Sequence, residues 1–505
     1  MVVKTFFITT PIFYPNDRLH LGHAYAMIMA DIIVRYKSSQ GYQVYFQTGS
    51  DDHGEKIEKK ALSLNSSPQE LVDKNVSLFQ QLWKELGILE HVFYRTSSPN
   101  HHFKIKNIFT KLLEQGDIYL SEYQGKYCIT CEDYVSKSKA INHNFCPTCQ
   151  AELRTINEPA YFLRVSKYYS QLIEHYRKNP DFLLPNNARK ELFSNFLKEE
   201  IPNLCITRSD INWGIPVPGQ QKMVIYVWFE ALLNYINSAE GENKFNDSKA
   251  EIVHLIGKEI VRFHAIYWPI ILFFLNKRLP NKILVHGWLI TPTGKMSKSK
   301  GNVFDPLGLL KKYPADLIRT YLIAKINFFQ DGVFSEDLLS NFYQDFLVNN
   351  LSNLVSRISK MVHLYNGGII PEFNSDKSLE NYHHECLYLV KEFQVKMDKY
   401  KLTDAFCQIK NFLDSSNKMI SDLVPWKLFQ EKKYIFLNQV LNHLVNRIKI
   451  ISFLLNSIIP NTSKEIYKVF NINSDEINWD NCLNFSFLSK VKIKKVEKHL
   501  YEPRK

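Results

Sequence analysis

The chain has 505 residues, more than one hydrophobic core usually supports, so roughly two to four packed units are expected. With 45% hydrophobic and 23% charged residues it is excluded from the intrinsically disordered class. A formal net charge of +12 suits a polyanionic partner, although a Lys-rich composition produces the same sign.

Residues 5–9 form a short β-prone run, and residues 11–18, with their two prolines and Asn16-Asp17, read as a loop. Residues 22–36 are apolar on nearly every side and predict a buried helix that stops at Lys37-Ser38-Ser39-Gln40-Gly41. Residues 42–48 are aromatic and β-branched. Strand, helix and strand in this order imply a right-handed parallel crossover, the opening of an α/β nucleotide-binding fold.

Residues 119–154 lack helical periodicity and read as an insertion. Four of the 8 cysteines fall there, as Cys128-x2-Cys131 and Cys146-x2-Cys149. Two such pairs match a tetrahedral four-sulfur Zn2+ site with no open position, hence a structural one, with His143 as a neighbour. Strand-like runs resume at 222–227, 252–256 and 282–285. Beyond about residue 335 the chain becomes amphipathic, with Leu347, Leu351, Leu354, Val355 and Ile358 at helical spacing. The Lys-rich tail from Lys490 reads as a solvated end.

The N-terminal apolar run is too short for a secretory signal, and that around residues 266–275 is too short to span a bilayer. A cytoplasmic protein with no membrane partner is expected. The fold class is α/β: a Rossmann-like parallel sheet split by a zinc-bearing insertion and followed by an all-α domain. The divisions are 1–115, first half of the nucleotide-binding fold; 116–220, insertion; 221–290, second half; 291–335, a loop and connecting region; and 336–505, helical domain.

Three further groups carry chemistry. His20-Leu21-Gly22-His23 brings two imidazoles and backbone N–H groups to a helix start, an anion site at which Gly22 permits close approach. Lys295-Met296-Ser297-Lys298-Ser299-Lys300-Gly301 sets three ammonium groups in one loop, enough to neutralise a triphosphate. Asn349, Asn353 and Arg357 recur four apart on one helix face, and Trp426 offers a plane on which an unpaired base can stack.

The two phosphate motifs in this order resemble those of the class I aminoacyl-tRNA synthetases. The resemblance narrows to the methionine-specific family on Thr9-Thr10-Pro11-Ile12-Phe13-Tyr14, Thr48-Gly49-Ser50-Asp51-Asp52-His53-Gly54, Trp213-Gly214-Ile215-Pro216-Val217-Pro218, Tyr226-Val227-Trp228-Phe229-Glu230-Ala231-Leu232, Gly257-Lys258-Glu259-Ile260 and His286-Gly287-Trp288. It implies that ATP, carried with Mg2+, meets His20, Gly22, His23, Lys295 and Lys298, and that Glu259, where relatives often have Asp, binds its ribose. It implies that the α-ammonium of L-methionine is held by Asp51 and the Ile12 carbonyl. Tyr14, Trp228, Ala231, Tyr235, Phe263 and His264 are then expected around the thioether. Asn353, Arg357 and Trp426, with Asn349 nearby, are expected on the anticodon of tRNA(Met), initiator tRNA included. His20, His23, Lys295 and Lys298 would stabilise charge in the activation step, and no residue is marked as general base for transfer. A monomer is expected, because no appended small β-barrel is legible. A sister class I synthetase and a non-catalytic tRNA-binding paralogue remain alternatives, disfavoured by the absence of an editing-sized insertion and by the intact phosphate motifs. A zinc-ribbon nucleic-acid module accounts only for the cysteines.

Overall fold

A run of aromatic and β-branched residues with no polar alternation suits a strand covered on both faces, and Thr5–Phe13 (β1) is such a strand, with Phe6, Phe7 and Ile8 fully buried. The computed structural model describes residues 4–135, 140–142, 144–147, 149–198, 201–209, 211–292, 294–295, 303–495 and 499–503. They fall into two compact units. One comprises Met1–Ala26, Gln43–Lys84 and Leu89–His286, and the other Met27–Tyr42, Glu85–Ile88 and Gly287–Lys505.

In the first unit β1 leads into helix α1 (Leu21–Ser39), whose later residues count with the second unit. Strand β2 (Gln43–Ser50) follows, then α2 (Glu55–Ser63), α3 (Pro68–Glu85), β3 (Val92–Arg95) and α4 (Pro99–Glu114). The insertion contributes β4 (Ile118–Cys128), β5 (Asp133–Val135), β6 (Arg154–Leu163) and the short β7 (Leu183–Leu184). Helix α5 (Val227–Leu232), β8 (Glu251–Gly257) and β9 (Lys282–His286) complete the core of the unit.

The main sheet runs β3-β2-β1-β8-β9-β7, and every pairing in it is parallel. The chain builds outward from β1 to β3 on one side and returns to build from β8 on the other. The crevice beyond the C-terminal ends of β1 and β8 is therefore the topological switch point, where open α/β sheets bind their ligands. A register shift between Thr9 and Ile12 in the β1–β2 pairing bends β1 just before it enters this crevice. Deep in β8, His254 sits between Thr9 Oγ1 at 2.6 Å and the Trp268 indole N–H, which donates to Nε2 at 3.0 Å. Its proton is therefore on Nδ1, and burial keeps its pKa well below the ordinary value.

The insertion has its own antiparallel sheet, β5-β4-β6 plus Leu204–Cys205. One expectation about the sheet needs correction. The run at 222–227 is a strand over Gln220–Ile225, but it pairs antiparallel with Pro216–Val217 and Thr207–Arg208 in a separate small sheet. The parallel sheet instead takes an edge strand from within the insertion, Leu183–Leu184. β propensity identifies a strand and says nothing of its partner.

The second unit is helical beyond residue 335. Leu347, Leu351, Leu354, Val355 and Ile358 are all buried, as their spacing predicts. The helix is not uniform, however: Tyr343–Ser352 is π-helical and continues as α6 (Asn353–Asn366). A 22-residue helix, α7 (Leu402–Leu423), ends at Val424 with φ 46°, a left-handed conformation costly for a β-branched residue, and the short α8 (Pro425–Gln430) follows. Within this unit Arg319, fully buried, reaches Asp31 of α1 at 2.6 Å and the Ile458 carbonyl at 2.7 Å. Among the described residues no helix is long and apolar enough to cross a membrane.

Candidate active site and metal centre

The loop from β1 into α1 shows why a His-x-Gly-His run suits an anion. The His20 N–H donates to His23 Nδ1 and the Gly22 N–H donates to His20 Nδ1, both at 3.1 Å. Each Nδ1 is thus an acceptor, which puts the proton of each neutral imidazole on Nε2 as a donor. The rings lie 3.9 Å apart at the first turn of α1, a turn without acidic residues. A Cβ at Gly22 would meet the His20 ring at 2.9 Å and push it from this position. At the end of β8, Glu259 is exposed on a 3-10 turn and its carboxylate folds over Gly257, where a Cβ would meet Oε1 at 2.5 Å.

Next to this loop lies a carboxylate with one unpartnered oxygen. Asp51, just past β2, is 2% exposed, and its Oδ1 has no hydrogen-bond partner. Burial raises its pKa, reinforced by the charges of Glu230, Glu132 and Asp52, while Tyr14 acts in the opposite direction. The β1 bend brings Ile12 and Tyr14 to the same crevice, and the Tyr14 hydroxyl donates to Glu132 Oε2.

The aromatic residues are arranged differently from facing walls. Trp228 and Phe263 stack on each other at 3.9 Å and 5°, so they form one wall two rings thick, with no space between them. The Trp228 indole N–H is buried without a hydrogen-bond partner. Ala231 is buried on α5, and the Tyr235 hydroxyl donates to His264 Nε2 at 2.8 Å. His264 Nδ1 in turn donates to the Ile260 carbonyl at 3.1 Å. Burial lowers the His264 pKa to about 4, so this imidazole is neutral near pH 7. Phe263 and His264 open a π-helical stretch, Phe263–Tyr267, a feature often found where a helix is reshaped around a site.

Two buried acids here escaped the sequence reading. Glu132 follows Cys131 directly, with φ 49°; its Oε1 accepts from the Lys56 N–H at 3.0 Å, capping α2. Its neighbour Asp133 pairs with Arg262, next to Phe263. Glu230, on α5, accepts from His53 at 2.8 Å and from His101 at 2.7 Å. Burial opposes its ionisation, but the two imidazoles win and its pKa falls to about 2. The signal available beforehand was weak: Glu230 and His53 both lie in segments that carry the family resemblance, but nothing local marks them as buried partners.

The four cysteines converge. Cys128 and Cys149 sulfurs are 3.4 Å apart, Cys131 and Cys146 3.9 Å, and all four lie within 4.8 Å of one another. A tetrahedron of metal–sulfur bonds of about 2.3 Å has edges of about 3.8 Å, so the cluster has the dimensions to hold a metal ion. Val135 and Leu153 cover it, and hydrogen bonding from Cys131 draws the Cys128 thiol below the usual range. His143 lies outside the described residues.

In the helical unit Asn349 is exposed near the end of the π-helical stretch and accepts from the Gln344 amide at 3.1 Å. Asn353 and Arg357 lie on α6, where Arg357 donates to Asn417 at 3.3 Å. Asn353 and Arg357 lie four residues apart on one face of α6, and Asn349 precedes them in the π-helical stretch. Trp426, on α8, is 45% exposed. The Lys295 side chain and Lys298 lie outside the described residues.

A parallel sheet with a histidine-lined loop at its switch point, an antiparallel four-sulfur insertion and a helical C-terminal region together define a class I synthetase fold. A family model described as tRNA synthetases class I (M) matches residues 6–158 and 151–359. The methionine–tRNA ligase of Caldanaerobacter subterraneus subsp. tengcongensis is 40% identical over 501 residues, covering 98% of this chain and 78% of that protein. That of Clostridium tetani is 40% identical over 492 residues, covering 95% and 76%. The structure of Mycobacterium tuberculosis methionyl-tRNA synthetase in complex with methionyl-adenylate is similar with a TM-score of 0.92 at 29% identity, covering 98% of this chain and 99% of that one. The apo form of the same enzyme gives 0.86 at 26% identity. The chain belongs to the methionine–tRNA ligase family.

Proposed function

We infer that this chain activates L-methionine with ATP, forming methionyl-adenylate and pyrophosphate, and transfers the methionyl group to the 3′ end of tRNA(Met), initiator tRNA included. The observation that carries the amino-acid half is Asp51: a buried carboxylate oxygen without a donor, at the switch point, near Tyr14 and Tyr235. An α-ammonium supplies the missing donor and charge together. The Ile12 carbonyl takes a second ammonium hydrogen, and Tyr14 closes the subsite. The side chain lies against Trp228, Ala231, Tyr235, Phe263 and His264. Tyr235 and His264 spend their polar atoms on each other and on Ile260, so a substrate hydroxyl or charge would lose water without replacement. A polarisable thioether loses little there.

In the first step a methionine carboxylate oxygen attacks the α-phosphorus, and the bond from that phosphorus to the bridging oxygen of pyrophosphate breaks. His20 and His23 donate from Nε2 to phosphate oxygens, Gly22 lets the nucleotide approach, and Glu259 takes ribose hydroxyls. Lys295 and Lys298 add positive charge as the pentavalent state forms. Mg2+ arrives with ATP. In the second step the terminal ribose hydroxyl of tRNA attacks the adenylate carbonyl and AMP leaves. Asn353, Arg357 and Trp426, with Asn349 nearby, read the anticodon. Cys128, Cys131, Cys146 and Cys149 hold one structural Zn2+, with no position left open for chemistry. The chain acts in the cytoplasm as a monomer.

Charging of tRNA tests this reading. Purified protein with ATP and Mg2+ should attach methionine to tRNA bearing a CAU anticodon and not to tRNA with a changed anticodon. Failure to charge, or charging with another amino acid, contradicts it.

A further inference from the structure

Glu230 lies on the same short helix as Trp228 and Ala231 and is 0% exposed. Its carboxylate spans two imidazoles: Oε1 accepts from His53 Nδ1 at 2.8 Å, and Oε2 from His101 Nε2 at 2.7 Å. The far side of His101 is held as well: its Nδ1 faces the Tyr94 hydroxyl at 3.2 Å and the Asn237 amide nitrogen at 3.3 Å. His53 Nε2 meets His102 Nε2 at 3.2 Å, and burial, with a further push from His53, drops the His102 pKa to about 4, so His102 adds no charge near pH 7.

Glu230 thus ties His53 and His101 to its own helix, and the Asp51 carboxyl lies two residues from His53 in sequence. Among the charges acting on Asp51, that of Glu230 is the largest. Of the neighbouring acids, Asp52 accepts from Arg95 and Ser97 on Oδ2 and leaves Oδ1 without a partner, and Glu132 accepts from Tyr14 and Lys56. An unpartnered oxygen on a buried acid, backed by a second buried acid, is the electrostatic complement of a cation.

We infer that Glu230 is a positioning residue of the amino-acid site: it pins the Asp51–His53 turn to the helix bearing Trp228 and Ala231, and its charge makes the Asp51 subsite prefer a cationic α-amino group over a neutral replacement. The inference rests on the reading that Asp51 receives the substrate ammonium. A buried glutamate serving only to hold the fold would affect all ligands of the pocket alike. One acting through its charge affects those that carry the ammonium.

The test compares equilibrium binding of L-methionine and of its des-amino analogue, 4-(methylthio)butanoate, to the full chain and to its Glu230→Gln and Glu230→Asp variants. Glu230→Gln keeps the shape and removes the charge. Its affinity for methionine should fall about tenfold, the scale of one buried charge acting at moderate effective dielectric, while that for the analogue stays within about twofold. Glu230→Asp keeps the charge on a shorter arm; both affinities should fall together, with the methionine-to-analogue ratio near parental. Equal loss of both ligands in Glu230→Gln, or an unchanged ratio, overturns the inference. Should Glu230→Gln not fold, Glu230→Met, of similar size and likewise uncharged, takes its place: selective loss of methionine binding supports the charge role, and equal loss of both ligands overturns it. Parental protein that binds neither compound, or prefers the analogue, removes the underlying amino-acid reading instead.

Discussion

Replacing Asp51 by Asn should stabilise the protein and disable it together. The Asp51 carboxyl is 2% exposed, its Oδ1 has no hydrogen-bond partner, and Glu230, Glu132 and Asp52 press on it. A buried acceptor left unsatisfied costs about 1–3 kcal/mol. An Asn amide carries no charge and can donate to the neighbouring acids. Relief of that order should raise the melting temperature of the first unit by a few degrees. The sign with pH follows from linkage. Burial and the neighbouring acids push the Asp51 pKa above its ordinary 3.8, so the folded chain keeps this proton after the unfolded chain has released it. The parent therefore loses stability as pH rises from about 3.8 through the raised folded value, and the gap to Asp51→Asn should open across that window and close below it. Methionine affinity should move the other way. Loss of one partner of a buried charge pair costs about 2–5 kcal/mol, roughly thirtyfold to several thousandfold in Kd. Differential scanning fluorimetry over pH, with equilibrium dialysis of methionine, reads both quantities. A variant that melts lower than the parent and still binds methionine at parental affinity refutes the reasoning.

Metal analysis should find about one zinc per chain, and Cys128→Ser should hold well under that and melt earlier; active, fully stable protein without metal would show the site misread. Burial holds His264 at about 4, against 6.5 for an ordinary imidazole. Its contribution is thus complete above pH 6.5 and disappears as pH falls towards 4, by roughly 3 kcal/mol, so His264→Gln should flatten the acid limb of the melting profile; an unchanged limb contradicts this. Trp426→Ala should weaken aminoacylation through the tRNA term by roughly 1–3 kcal/mol and leave methionine-dependent pyrophosphate exchange parental. Equal damage to both reactions would make Trp426 a packing residue.

The parts of the site legible in the sequence are those whose chemistry is local. His20, Gly22 and His23 interact within four residues, and each cysteine pair declares itself by spacing. Asp51 stood out only through its segment's family resemblance. Glu132 and Glu230 were not legible because their role depends on burial against distant partners: Glu230 meets His101, 129 residues away, and Glu132 meets Tyr14, 118 away. The π-helical stretches at Phe263–Tyr267 and Tyr343–Ser352 were invisible for another reason. The same side chains support i→i+4 and i→i+5 bonding, and tertiary packing chooses between them. In the fold, the strand–helix–strand opening was legible from periodicity. The pairing of Gln220–Ile225 outside the main sheet was not, since edge and partner are settled by burial on folding.

The most direct test is ATP–pyrophosphate exchange by the purified chain with each amino acid supplied singly. It isolates the activation step from tRNA recognition. A site with a buried ammonium subsite and an aromatic pocket in which Tyr235 and His264 are already hydrogen-bonded predicts rapid exchange with methionine and exchange at least about tenfold slower with leucine or isoleucine. Exchange that is absent with methionine, or as fast with a branched aliphatic amino acid, would contradict the account.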